Sequence, residues 1–269
     1  MARDAAVRLE LLDRYGPGVL MPAEAGTPLS TGYPALDAAL GIGGLPRGRI
    51  VELTGDDSGK LSIALGVLAT ATQVGGLAAI VDPARAFYPP SAAAAGVQLA
   101  NLAVVQPAGL PQALEAIATL LQTEGFTALV YDLPRGGKEP NASQLSRLAA
   151  AAAHTGTLLL ILSSASRTRA AAAGNRPLGY FASVRLLVER RDCLWREGPA
   201  GAPLELAGYR LGVTVIKHKL AAPGASVELE VSAWEGQRYG DAPDRLPVGS
   251  ATLRLGVVPP SDGPLTIVG

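Results

Sequence analysis

Residues 49–73 read RIVELTGDDSGKLSIALGVLATATQ, and no other segment of the chain is as informative. The apolar run Arg49–Leu53 predicts a buried strand, and Leu61–Gln73 predicts a helix that stops before a pair of glycines. Between them lies a glycine-containing loop, Thr54–Lys60. A strand, such a loop with a lysine, and a helix in this order are typical of a P-loop, whose backbone N–H groups hold phosphate groups.

The loop departs from the P-loop consensus G-x-x-x-x-G-K-[ST]. Gly55 stands four positions before Gly59, so the loop is one residue short. Leu61 occupies the place of the hydroxyl that binds magnesium, and Ser62 follows one position later, turned by about 100° around the helix. Two aspartates inside the loop oppose a phosphate. Taken alone, the pattern is more typical of an ordinary strand–helix turn.

Strands and helices alternate along the rest of the first half of the chain. Apolar segments predict strands at Leu77–Asp82, Leu102–Gln106, Ala128–Asp132 and Thr157–Leu162, and helical patterns occur at Pro111–Thr123 and Ser143–His154. Because these strands are almost wholly apolar, we expect an α/β fold with a mostly parallel central sheet flanked by helices. Three later segments without helices between them, at residues 183–189, 212–219 and 227–234, predict an antiparallel extension of the sheet edge.

The chain divides into three parts. Residues 1–28 form an N-terminal helical arm and linker, with a short amphipathic helix at residues 3–15. Residues 29–235 form the core domain, and residues 236–269 form a Pro/Gly-rich tail that we expect to be largely mobile. Within the tail, Ala251–Val257 has the character of a strand.

The composition excludes several classes of protein. With 48% hydrophobic and 17% charged residues among 269, the chain has the material for a buried core and is not disordered throughout. The 23 basic and 23 acidic residues argue against a strongly basic protein that coats nucleic acid, although a local basic patch is compatible with them. A single cysteine, Cys193, excludes a disulfide framework and a cysteine-ligated structural zinc site, and two histidines leave little for a metal cluster. We find no signal peptide or membrane span and predict a cytoplasmic protein.

Three blocks of the sequence resemble the RecA recombinase family, in the family's order and with compatible spacing. Ser30–Glu52 resembles the segment before that family's P-loop, Gly179–Leu186 the stretch after its second DNA-binding loop, and Val215–Pro223 its lysine-bearing interface strand. The resemblance covers about residues 5–235. It implies a RecA-like P-loop NTPase core.

The resemblance also implies functional positions. Those for nucleotide binding are Gly55, Ser58, Gly59, Lys60, Ser62 and Asp132, with ATP and Mg²⁺ as the cofactors. In the family's scheme, Lys60 contacts phosphate and Asp132 holds the magnesium shell. The subunit-interface positions are Lys217, Lys219, Leu9 and Leu12, and the DNA-binding positions are Arg167, Arg169 and Arg176. The last two sets each have a plainer alternative. The two lysines are also typical of an exposed edge strand that charged residues protect from aggregation, and the three arginines are also typical of a solvated basic loop.

The chain lacks several of the family's catalytic parts, so we assign no catalytic residue and regard ATP and Mg²⁺ as doubtful. Leu61 replaces the hydroxyl ligand, Ala84 replaces the acidic residue that orients the attacking water, and Ser163 and Ser164 replace the glutamine that senses the γ-phosphate. We therefore expect the RecA-like fold without efficient ATP hydrolysis.

These departures predict a non-catalytic or weakly catalytic RecA-like accessory protein of bacterial DNA repair. It is similar to the ImuA group, which acts in SOS translesion mutagenesis with a Y-family polymerase-like partner. The expected partners are a RecA-like or polymerase protein, single-stranded DNA bound weakly, and a second copy bound through the arm, with no membrane. Two alternatives stay open: a DNA-dependent ATPase that performs strand exchange with Ser62 as the hydroxyl, and a modulator of RecA filaments that binds no nucleotide.

Overall fold

A computed structural model describes residues 26–55, 59–123, 125–164, 176–196, 205–232 and 267–268. The strands are β1 (Ile50–Gly55), β2 (Leu77–Val81), β3 (Leu102–Val105), β4 (Phe126–Asp132), β5 (Leu158–Leu162), β6 (Val184–Arg196), β7 (Glu205–His218), β8 (Ser226–Ser232) and β9 (Ile267–Val268). The α-helices are α1 (Pro34–Ala39), α2 (Lys60–Gln73), α3 (Pro89–Ala94), α4 (Leu110–Gln122), α5 (Ala142–Thr155) and α6 (Pro177–Phe181).

The described strands form one sheet with the order β8-β7-β6-β1-β5-β4-β2-β3-β9. The pairs from β6 through β1, β5, β4 and β2 to β3 are parallel. Strands β7 and β8 continue the sheet in antiparallel fashion, and β9 pairs antiparallel with β3. The predicted α/β architecture with an antiparallel edge is confirmed.

Two apolar layers cover the two faces of the sheet. Side chains alternate along each strand, so Leu53 packs with α2 on one face while Ile50 packs with α4 and α5 on the other. The register places Leu162 of β5 beside both Leu53 of β1 and Asp132 of β4. The carboxyl ends of these parallel strands therefore meet at one edge of the sheet, where the loop between β1 and α2 also lies.

The structure differs from the sequence-based expectation in its short helices and its long hairpin. Helices α1 and α6 were not predicted, because five or six residues are too few to show a helical period, whereas α3 includes part of the alanine tract Ala92–Ala95 that was expected to be helical. Strands β6 and β7 are 13 and 14 residues long, since their pairing continues past the apolar part into exposed polar residues. The predicted helix at 3–15 and the strand at 251–257 lie outside the described residues.

We looked for membrane-spanning helices in the part of the chain that the structure describes. None of its helices has both the length and the apolar character needed to cross a bilayer.

Candidate functional site

The loop between β1 and α2 is bounded by two glycines that the local packing requires. Gly55 has φ = 124°, and a Cβ there would collide with the carbonyl oxygen of Val188 in β6. Gly59, with φ = 92°, is the residue before α2, and a Cβ there would collide with the side chain of Leu211. Strand β7 thus packs directly against the end of the loop. Ser58 lies outside the described residues.

Lys60 lies inside the protein at the start of α2. Its side chain is buried, and Nζ donates to the carbonyl oxygen of Ser163 at 2.7 Å and to that of Gly55 at 3.4 Å. A buried ammonium needs such partners, because its desolvation is otherwise costly. The ammonium that the sequence analysis assigned to a phosphate is held here by the ends of β5 and β1.

The position after Lys60 carries no hydroxyl. Leu61 is partly buried and packs against the apolar layer on the α2 face. Ser62 lies on the flank of α2, where it lines a groove together with Tyr33, Gly66 and Tyr209. Its backbone carbonyl accepts a hydrogen bond from the Tyr33 hydroxyl at 3.5 Å. The turn of about 100° between successive helical residues therefore separates the two positions as expected.

Two aspartates lie next to each other at the carboxyl ends of β2 and β4. The register pairs Val81 with Tyr131, so the residues that follow, Asp82 and Asp132, are neighbours. By alternation both side chains emerge on the face that α2 covers. Asp82 is buried; its Oδ2 accepts the Phe87 N–H at 2.8 Å, and Oδ1 has no hydrogen-bond partner among the described residues.

The electrostatic effect of Asp132 is visible in its neighbour. Burial raises the pKa of the Tyr131 phenol to about 12, and the negative charge of Asp132 makes a smaller contribution in the same direction.

Asp82 was predicted only as the end of a strand and was not assigned to the site. Its position directly after an apolar strand, like that of Asp132, was the signal that could have found it.

A buried carboxylate, Glu52, lies on the opposite face of β1. It accepts a hydrogen bond from the Ser163 hydroxyl at 2.6 Å and one from Arg185 Nε at 2.5 Å, and Arg176 Nη2 lies 3.4 Å away. Glu52 is fully buried and Arg185 is nearly so. Arg176 also forms an ion pair with Glu139. One carboxylate therefore joins the end of β5, the start of α6 and strand β6.

This network reaches the loop through Ser163. The hydroxyl of Ser163 donates to Glu52 while its carbonyl accepts from Lys60, so a continuous chain of polar contacts runs from Lys60 to Arg176. Sequence reasoning missed Glu52 and Arg185. The available signal was a single charged residue inside each of two apolar runs, Glu52 in 50–53 and Arg185 in 184–188, since a charge in such a place needs a buried partner.

The predicted DNA-binding arginines are only partly described. Arg167 and Arg169 lie outside the described residues, and so do the interface residues Leu9 and Leu12. Arg176 contacts Glu139 and Glu52 with part of its guanidinium still exposed. Its role toward DNA stays a prediction.

Lys217, near the end of β7, and Lys219, directly after the strand, lie on one side of it, as the alternation predicts. Both ammonium groups lie over the Tyr180 ring, at 5.9 and 5.6 Å from its centre. Lys217 Nζ also donates to the carbonyl oxygens of Gly179 and Tyr180, at 2.7 and 2.8 Å. Lys217 thus binds the C-terminal turn of α6 within its own chain.

Burial, with repulsion from Lys219 and Arg185, lowers the pKa of Lys217 from 10.5 to about 7. The unfolded chain keeps its proton up to about pH 10.5, so raising the pH from 7 toward 10 favours the folded state. We expect the free energy of unfolding of the wild type, relative to Lys217→Met, to rise over this window. Urea denaturation of both proteins at pH 7, 8 and 9 measures it, and parallel pH profiles would contradict the assignment.

Comparisons with known proteins match the region that carries this site. Residues 12–134 match the family model of the RecA N-terminal domain. Protein RecA of Acidothermus cellulolyticus is 35% identical over 248 residues, which cover 81% of this chain and 70% of that protein. Protein RecA of Thermus thermophilus is 34% identical over 241 residues, covering 78% and 68%.

A solved structure supports the same architecture. The crystal structure of the RadB recombinase is similar with a TM-score of 0.58 and 20% sequence identity, and the match covers 75% of this chain and 95% of that one. At this identity the similarity concerns the fold alone. The family match at residues 12–134 includes the β1–α2 loop and both aspartates.

Proposed function

The chain belongs to the RecA family, and from this premise we propose that it is an accessory protein of DNA repair that has lost most or all ATP turnover. One observation carries the proposal: the buried Lys60 ammonium donates to the carbonyl oxygen of Ser163 at 2.7 Å. The loss of the hydroxyl at Leu61 and of the acidic residue at Ala84 supports the same conclusion. Phosphoryl transfer depends on a positioned metal ion and a positioned water, and the residues for both have changed.

The remaining acidic residues fit Mg²⁺ only in part. Asp82, with an unpaired buried oxygen, and Asp132 would hold the ion through its water shell, in the manner usual for Mg²⁺ with one or two carboxylates. A bound Mg²⁺–ATP would supply the transferable phosphoryl group. Lys60 would have to leave Ser163 to reach it, and Leu211 already lies against Gly59. We therefore propose weak nucleotide binding or none.

The proposed role is damage-induced translesion mutagenesis, as in the ImuA group. The RecA-like fold, which such protein contacts require, is present, while the residues at Leu61 and Ala84 differ from those that the family uses for catalysis. In this role the chain contacts a polymerase component or RecA in the cytoplasm, with the N-terminal arm and the pair Lys217 and Lys219 as the contact regions. The alternatives are an active strand-exchange ATPase and a RecA-filament modulator that binds no nucleotide.

A genetic experiment tests the role. Deleting the gene should reduce the frequency of damage-induced mutations, while homologous recombination stays at the wild-type level. The Lys60→Ala variant should complement the deletion, because the proposed role does not need nucleotide turnover. Loss of recombination in the deletion strain, or failure of Lys60→Ala to complement, would favour the active recombinase instead.

We expect DNA binding to be weak, independent of sequence and sensitive to salt. The net charge is zero, and the arginines at 167, 169 and 176 are the proposed phosphate contacts. Three contacts on a single strand give a slope of about −2 in a plot of log affinity against log salt concentration. Replacing all three with alanine should remove most binding in fluorescence anisotropy. Arg147→Ala, a change in helix α5, is the matched control, and unchanged affinity in the triple variant would place the DNA site elsewhere.

A further inference from the structure

Arg176 has two acidic partners, and the two differ in burial. Its Nη2 lies 3.4 Å from Glu52, which is fully buried and is already paired with Arg185. The other partner is Glu139, whose side chain is 28% exposed, while that of Arg176 is 24% exposed. The contact between Arg176 and Glu139 therefore lies at the surface, where a ligand can reach it.

Glu139 binds one edge of the guanidinium at two points. Arg176 Nε donates to Glu139 Oε2 at 3.1 Å, and Arg176 Nη2 contacts Glu139 Oε1. Two parallel N–H groups on one edge are also what an arginine offers to two oxygens of a phosphate group. A phosphate and the Glu139 carboxylate therefore compete for the same donors.

The backbone on each side of this ion pair is held in place. Glu139 stands two positions before Asn141, the residue that caps α5. Asn141 Oδ1 accepts the Gln144 N–H at 3.0 Å, and the Gln144 side chain accepts the Asn141 N–H at 2.8 Å. Arg176 directly precedes α6, and its carbonyl oxygen accepts the Tyr180 N–H at 3.1 Å. Because both backbones are fixed, forming the ion pair costs mainly side-chain entropy.

We propose that Glu139 is an intramolecular competitor for the phosphate-binding edge of Arg176, and that this competition sets the affinity of the surface for single-stranded DNA. The inference rests on the proposed contact between Arg176 and DNA. A phosphate binds this edge only in the fraction of molecules in which Glu139 has left Arg176, so the apparent affinity falls by that fraction. For a partly exposed ion pair the reduction is about fivefold.

Removing the charge of Glu139 tests the competition. Glu139→Gln in the full chain should strengthen the binding of a labelled oligothymidylate about fivefold in fluorescence anisotropy at low salt. The amide keeps the size of the side chain, and Arg176 becomes available to phosphate. Glu228→Gln, on the exposed edge strand β8 of the described sheet, is the matched control. It changes the net charge equally and should alter the affinity less than about twofold. Equal gains in both variants would overturn the proposal, because net charge alone would explain them.

A double-mutant cycle shows whether Glu139 acts through Arg176. In an Arg176→Ala background, Glu139→Gln should change the affinity less than about twofold, because the guanidinium that it would free is absent. A gain of about fivefold in that background as well would show that Glu139 repels DNA directly, and would overturn the proposal. If no protein in the cycle binds the oligonucleotide, the proposed DNA binding fails and the inference fails with it. Binding that does not respond to Glu139→Gln refutes the inference alone.

The availability of Arg176 can also be measured without DNA. Phenylglyoxal modifies arginine side chains that are not held in ion pairs, so Glu139→Gln should speed the modification of Arg176 about fivefold. The exposed Arg147 in α5 is the reference and should react at an unchanged rate. Mass spectrometry of the digested protein measures both rates. Equal reactivity of Arg176 in the wild type and the variant would show that Glu139 does not occupy it, and would contradict the proposal.

Discussion

The purified protein should hydrolyse ATP roughly 10³-fold or more slowly than a working recombinase of its family, with or without single-stranded DNA. In the proposed assignment, Leu61 stands in the place of the metal ligand and Ala84 in the place of the water-orienting acid, and the Lys60 ammonium donates to the Ser163 carbonyl. Positioning and electrostatic stabilisation provide nearly all of phosphoryl-transfer catalysis, so changing both sets of residues removes orders of magnitude. Phosphate release with and without single-stranded DNA measures this rate.

Two variants make the ATPase result decisive. Any hydrolysis that survives in Lys60→Ala comes from a contaminant. Hydrolysis at a recombinase-like rate that Lys60→Ala abolishes would refute the prediction. If Ser62→Ala abolished it as well, Ser62 would be the hydroxyl that replaces the lost ligand.

Replacing Glu52 with alanine should lower the free energy of unfolding by about 3–5 kcal/mol. The variant leaves the guanidinium of Arg185, which is only 4% exposed, without its buried carboxylate, and it also removes the acceptor of the Ser163 hydroxyl. Removing one partner of a buried ion pair costs more than the pair contributes, because the other charge stays desolvated. Urea denaturation of the wild type and the variant measures the difference.

Two further variants control for a general effect of losing a carboxylate. Glu139→Gln removes the more exposed partner of Arg176 and should cost about 0–1 kcal/mol. The double variant Glu52→Leu, Arg185→Leu should be more stable than Glu52→Ala, because it leaves no unpaired buried charge. A loss below 1 kcal/mol in Glu52→Ala would show that the network does not stabilise the core.

Local sequence patterns were enough to predict the sheet and its main helices. The all-apolar segment at Leu158–Leu162 can only be a buried strand when helical patterns precede it, and its position in a parallel sheet follows from that alternation. The loop at Gly55–Lys60 can also be predicted from local sequence, since its glycines and lysine are close together along the chain. The short helices and the pairing of Ile267–Val268 carry too few residues for any period to show.

The side-chain partners of the site required the tertiary structure. Glu52 and Arg185 are separated by 133 positions, and Lys60 and Ser163 by 103. The sequence marks each as a charge or hydroxyl near an apolar strand, but it does not give the order in which strands lie side by side. That order places β1 between β5 and β6 and brings these residues together. The sequence by itself determined that this chain forms an α/β core with a glycine- and lysine-containing loop after its first strand, and only the packing of distant strands decided that the Lys60 ammonium donates to the carbonyl oxygen of Ser163.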